Sequence, residues 1–162
     1  MCHYSILELR SRVMHSNTIS KVFLWWDSEK RDLPWRISRD PWAILVSEFM
    51  LQQTQVKPVI RNFKNFVHKV PSLKALSESN EKKILKLWEC LGYYSRAKNL
   101  HKTSKILVKK YNSQIPDTYE KLKELPGIGD YTANVLLALV YNQPRIAIDG
   151  NCLLYTSDAA DE

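Results

Sequence analysis

The stretch "SEFMLQQTQV", residues 47–56, sets one carboxylate, Glu48, and two amides, Gln52 and Gln53, into a run otherwise apolar enough for a core helix. At helical spacing Ile44 lies one turn before Glu48 and Leu51 nearly one turn after it. Such neighbours desolvate a carboxyl and raise its pKa, which suits a general acid near neutral pH. The plainer reading is an amphipathic helix with a few polar residues on its wet side. A second carboxylate, Asp149, stands in "AIDGN", residues 147–151. Asp-Gly usually marks a turn or a helix N-cap, but a carboxylate partly buried at a helix start can also stabilise a developing cation. One protonated and one ionised carboxyl are the usual kit for cleaving a glycosidic bond through an oxocarbenium-like state.

Two further stretches point to a polyanion. In "LPGIGDYTANVL", residues 125–136, Pro126 stops a helix ending at Leu125, and Gly127 and Gly129 permit turns that a Cβ would crowd. Asp130 is then expected to cap a new helix. The result is either an ordinary tight turn between helices or a nest of backbone N–H groups for one phosphate. In "LGYYSRAKNLHK", residues 91–102, Tyr93 and Tyr94 follow a helix stop and precede a basic helix. Exposed, they would stack on bases beside Arg96, Lys98 and Lys102, which would neutralise a backbone. Buried, they would be core, with the charges forming a solvated face.

The elements that must position these residues all read as helices. Apolar residues recur at helical spacing from Ile19 to Val140, and strand-like alternation is almost absent. Ser16, Asn17 and Thr18 are candidate N-caps for a first helix. Asp40 caps a second that opens on Pro41, Pro58 begins another, and Asn80 caps a fourth that stops at Gly92. The fold class is all-α. The 162 residues allow one domain with a proper core, or a domain and a fragment of another. A net charge of +7 favours an anionic partner. Cys2, Cys90 and Cys152 and the four histidines are scattered, without metal-ligand spacing. No signal peptide is visible, and no apolar run approaches the ~20 residues of a membrane span. A cytoplasmic protein is expected, nuclear or mitochondrial in a eukaryote.

The motifs "LPWR", "SEFMLQQTQV", "LWECLGYYSRAKNLHK", "LPGIGDYTANVL" and "AIDGN" occur in the order, and close to the spacing, of adenine DNA glycosylases of the MutY family. The resemblance covers residues 18–151 and implies a helix–hairpin–helix glycosylase fold. It makes Glu48 the acid that protonates adenine N7 and Asp149 the stabiliser of the cationic sugar, with Tyr131 and Asn151 in support. Arg31, Trp35 and Leu51 would line the adenine pocket, Gln52 would lie on the DNA-binding surface, and Gln53 and Tyr93 would reach into the base stack. Gly127 and Gly129 would hold a phosphate, with a monovalent cation at the hairpin carbonyls. The implied reaction is hydrolytic removal of adenine mispaired with 8-oxoguanine or guanine in duplex DNA by a monomer. Endonuclease III, a glycosylase and lyase of similar fold, carries a Schiff-base lysine where this chain has Tyr131. A monofunctional enzyme is therefore favoured over that reading.

The resemblance implies a six-helix barrel-like domain at 36–140, with the helix–hairpin–helix at 118–142 and the catalytic aspartate segment at 141–151. The helix at 17–35 would belong to an incomplete second helical domain. Residues 1–16 lie outside the resemblance, as does the tail "CLLYTSDAADE", 152–162, which does not match the family's continuation into a four-cysteine [4Fe-4S] loop. No cofactor is expected on this chain's side chains. Because Asp149 and Asn151 stand at the edge of the resemblance, little turnover is expected from these 162 residues. A non-catalytic DNA-binding fragment is the rival reading.

Overall fold

In the computed structural model, the described residues are 17–38, 40–150 and 152–153. Asn151, the tail from 154 and the segment before 17 lie outside them. All regular structure among the described residues is helical. Two compact units meet in sequence between Asp32 and Leu33.

The first unit holds helix α1, Asn17–Glu29. Leu24, Trp25 and Val22 are more than half exposed, and Trp26 is 44% exposed. Phe23 is half-buried.

The second unit begins with α2, Pro34–Ile37, which opens on proline and buries Trp35. Leu33 and Trp35 thus belong to this unit's core. Helix α3, Pro41–Leu51, starts as its sequence predicts: Asp40 accepts the Trp42 N–H at 3.0 Å, and Pro41 sits where a missing N–H matters least. Every residue from Trp42 to Met50 is buried, Glu48 included. A helix apolar on all sides belongs in the middle of a fold. Accordingly α3 packs against α2, α4 (Val56–Lys69), α7 (Tyr94–Tyr111) and α9 (Asp130–Tyr141).

The remaining elements close around it. Helix α4 turns Val59, Phe63 and Phe66 inward, where Phe63 meets Trp35 edge-on at 5.1 Å and Phe66 meets Trp88 at 5.7 Å. It begins at Val56, two residues before Pro58. Proline is tolerated there because first-turn N–H groups have no partner inside the helix. Ser72 and Asn80 cap α5 (Leu73–Glu78) and α6 (Glu81–Leu87) through side-chain oxygens. A 3-10 turn at Glu89–Leu91 leads to Gly92, whose φ of 63° carries the chain into Tyr93. Helix α6 thus stops at Leu87, ahead of the expected glycine. Helix α8, Tyr119–Lys123, and α9 flank the Pro126–Gly129 turn.

Candidate active site

Glu48 lies on the buried face of α3 with 7% of its surface exposed. No hydrogen bond reaches its carboxyl among the described residues. Burial pushes its pKa up from 4.5 to about 7, against the opposing pull of the Arg36 guanidinium. It therefore keeps its proton to a much higher pH than an exposed glutamate does. Arg36 is the last residue of "LPWR", and sequence reasoning passed over it in favour of Trp35.

At its C-terminal end α3 opens into a turn that lines a cleft of about 650 Å³. The walls of this cleft include Gln52, Gln53, Tyr93, Gly127, Gly129, Tyr131 and Asp149, drawn from four separate stretches of sequence. Gln52 donates from Nε2 to the Gly127 carbonyl at 2.9 Å and approaches Thr132 Oγ1 at 3.5 Å, tying the turn to the hairpin. Gln53 and Tyr93 both adopt left-handed backbone conformations, with φ of 54° and 44°. Both side chains are exposed, Tyr93 by 62% and Tyr94 beside it by 44%. The two tyrosines are surface rings, not core.

Tyr131, in the wall of the cleft, feels both carboxyls. Its phenol is pushed up first by partial burial, then by the negative charges of Glu48 and Asp149. Asp149 is half-buried, and its Oδ1 accepts the Cys152 N–H at 2.8 Å while its carbonyl accepts the Leu153 N–H at 3.3 Å. Asp149 therefore caps a helical turn and lines the cleft at once.

The hairpin differs from expectation in two places. Gly127 has φ of 81°, and a Cβ there would lie 2.8 Å from the Phe49 ring and 2.9 Å from Asn99 Cβ. Gly129 is different. Its φ of −90° suits any residue and nothing lies within 4 Å of a Cβ there, so the fold itself does not demand glycine. Asp130 does not cap α9 either, since Gly129 holds that position. Its carboxylate instead takes the Tyr119 hydroxyl at 2.6 Å and Lys123 Nζ at 2.5 Å, fastening α8 to α9. Those two partners hold the Asp130 carboxyl below its ordinary pKa, Lys123 most strongly.

The other expected residues lie elsewhere. Trp35 is 1% exposed, within the core. Leu51 is half-buried against that core. Arg31 is exposed in the first unit, and Asn151 lies outside the described residues. Arg96 overturns its expectation: it is 5% exposed and bonded to backbone carbonyls, so it faces no phosphate. Sequence reading missed it because its Nη1 acceptors, from Phe49 to Thr54, lie more than 40 residues away along the chain. Lys98 pairs with Glu81 at 3.7 Å on the surface, and Lys102 is exposed.

A buried acid, a capping aspartate and two turns that each present one left-handed residue are grouped with a helix–hairpin–helix, and the fold is of the DNA glycosylase class. Residues 46–155 match the HhH-GPD superfamily of base excision DNA repair proteins, and the chain belongs to that family. It is 44% identical over 122 residues to the adenine DNA glycosylase of Buchnera aphidicola subsp. Baizongia pistaciae, a match covering 75% of this chain and 35% of the relative. It is 40% identical over 124 residues to the thymine-DNA glycosylase of Aeropyrum pernix, covering 76% of this chain and 56% of that protein. The solved structure of a thermostable thymine-DNA glycosylase aligns with a TM-score of 0.77 at 26% identity, over 83% of this chain and 62% of that one. The chain thus spans about a third of the first of these relatives and just over half of the second.

Proposed function

We propose that this chain carries the catalytic face of a monofunctional glycosylase that removes adenine, mispaired with 8-oxoguanine or guanine, from duplex DNA. One observation carries the reading above all: a buried carboxyl with its pKa near 7 and a second, half-exposed carboxyl both act on one tyrosine at the edge of an open cleft. A flipped adenine entering the cleft would accept the Glu48 proton at N7. The C1′–N9 bond then breaks, its electron pair leaving with the neutral base, and the positive charge left on the sugar faces Asp149. Water adds to C1′ and loses a proton, giving an abasic site. Tyr131 has no amine with which to form a Schiff base, so strand cleavage does not follow.

Gln53 and Tyr93 fill the gap left by the base, and the Gly127–Gly129 backbone meets a phosphate. The open space at Gly129 is what such a close approach requires. Leu51 is assigned to the adenine pocket and Asn151 to the support of Asp149 on resemblance alone, while Trp35 lies buried in the core. Arg31 is assigned to the adenine on resemblance alone. The adenine preference rests on the adenine-specific relatives; the thymine-DNA relative shows that similar identity accompanies another base.

The hairpin carbonyls of Leu125, Pro126 and Gly127 each accept one hydrogen bond, from Ile128 N, Thr103 Oγ1 and Gln52 Nε2. Each keeps a second lone pair with which to meet a monovalent cation. An iron–sulfur cluster does not fit this chain's own residues. It takes four thiolates, the chain has three cysteines, and Cys90 and Cys152 are exposed.

The test is base release from four duplexes under single-turnover conditions, with adenine opposite 8-oxoguanine, guanine or thymine, and thymine opposite guanine. Slow release of adenine from the first two alone is expected. Release of thymine instead would move the chain beside its thymine-specific relative, and binding without any release would leave the DNA-binding reading.

A further inference from the structure

Arg96 stands in the first turn of a surface helix, yet its guanidinium is buried between two turns far apart in sequence. Nη1 donates to the Met50 carbonyl and to Thr54 Oγ1, both at 2.8 Å, to the Gln52 carbonyl, and more distantly to the Phe49 carbonyl at 3.5 Å. Nη2 donates to the Leu91 carbonyl at 2.9 Å and to the Gly92 carbonyl at 3.2 Å. Phe49 and Met50 belong to the last turn of α3, whose carbonyls have no partner inside the helix. A cation there also meets the negative end of the helix dipole. The guanidinium carbon lies 5.5 Å from the Tyr93 ring centroid and 5.9 Å from that of Trp88, within cation–π range.

The two turns share one unusual property. Each holds a residue with a Cβ at positive φ, Gln53 in one and Tyr93 in the other. Neither residue favours that conformation alone, and it persists only where the surroundings over-determine it. Those surroundings converge on one planar, five-donor group. A lysine ammonium, a point charge with three donors on one atom, could not face both turns in this way.

We propose that Arg96 is a positioning residue, a clasp that holds Gln53 and Tyr93 jointly in the left-handed conformations from which they enter the duplex. The entry into DNA rests on the glycosylase reading above; the clasp is a property of the free chain. Two consequences follow. The turns should loosen together when the clasp is weakened, and loss of the clasp should impair base unstacking more than DNA binding.

Amide exchange on the 15N-labelled chain, with 2-aminopurine fluorescence beside the mispair, tests both consequences in wild type, Arg96→Lys and Thr54→Val. In Arg96→Lys, amides at 52–54 and 91–93 should exchange at least about tenfold faster, the size expected for losing hydrogen bonds to a charged group. The interior of α7 should change little. The 2-aminopurine signal should fall several-fold while duplex affinity stays within about threefold. Thr54→Val removes one acceptor without stranding the cation, so it remains informative if Arg96→Lys fails to fold. It should speed exchange at 91–93 as well as at its own turn. Unchanged exchange in Arg96→Lys, or loosening in Thr54→Val confined to 52–54, would overturn the clasp. Coupled loosening with no unstacking even by wild type would uphold the clasp and refute the wedge reading instead.

Discussion

Glu48 combines two demands that pull against each other. Its burial keeps a proton on it toward neutral pH, as the proposed role requires, and the same burial makes its ionised form unwelcome in the fold. A carboxyl whose pKa is raised by folding binds its proton more tightly in the native state. It therefore favours folding below its ordinary pKa of 4.5, and that contribution is lost as the pH climbs through about 7. The rise corresponds to about 3 kcal/mol. Glu48→Gln should accordingly match wild type near pH 4 and exceed its stability by a few kcal/mol at pH 8, measured by urea unfolding at both pH values. Equal stabilities at both would mean that the carboxyl is not desolvated as described. This residue was legible in the sequence because its apolar neighbours lie one turn away on the same helix. Arg96 was not legible, because its sequence neighbours Lys98 and Lys102 are surface residues and its acceptors come from other elements. At the same scale, the borohydride reaction separates Tyr131 from a lysine. No covalent protein–DNA adduct should be trapped, and efficient trapping would place the chain with the lyases.

Among the elements, the hairpin makes the sharpest division between folding and function. Gly127→Ala forces a Cβ into Phe49 and Asn99 at positive φ, and should destabilise the fold by about 2–4 kcal/mol. Gly129→Ala meets open space at an ordinary φ and should change stability by less than about 1 kcal/mol. If the hairpin holds a phosphate, the second variant should still weaken duplex binding. Thermal melts and DNA titrations of both variants check this pairing, and equal effects of the two on stability would contradict it. The pattern "PGIG" announces the turn but cannot rank its two glycines, since only packing against α3 and α7 distinguishes them. The caps were easier. Asp40 and Asn80 act within two residues of themselves, so their roles are written locally. Asp130 looked like another cap, but Tyr119 and Lys123 from α8 claim its carboxylate.

At the scale of the molecule, the chain carries a net charge of +7, and the cleft beside the hairpin is the face proposed to meet a polyanion. If that face neutralises three phosphates, affinity for duplex DNA should fall roughly 40-fold between 50 and 200 mM salt. Fluorescence anisotropy measures it, and a salt-independent affinity would argue against backbone contacts. The all-helical class was open to sequence reasoning because helical periodicity and caps persist along the chain, whereas the cleft was not, since its walls meet only in the folded protein. The central claim is that Glu48 supplies the proton to a departing adenine. Its most direct test is single-turnover adenine release opposite 8-oxoguanine, by wild type and Glu48→Gln, across pH 5–9. The account predicts wild-type release that declines as pH rises through about 7, and a Glu48→Gln rate lower by about 100-fold or more with mispair binding retained. Release by Glu48→Gln within about threefold of wild type would contradict it.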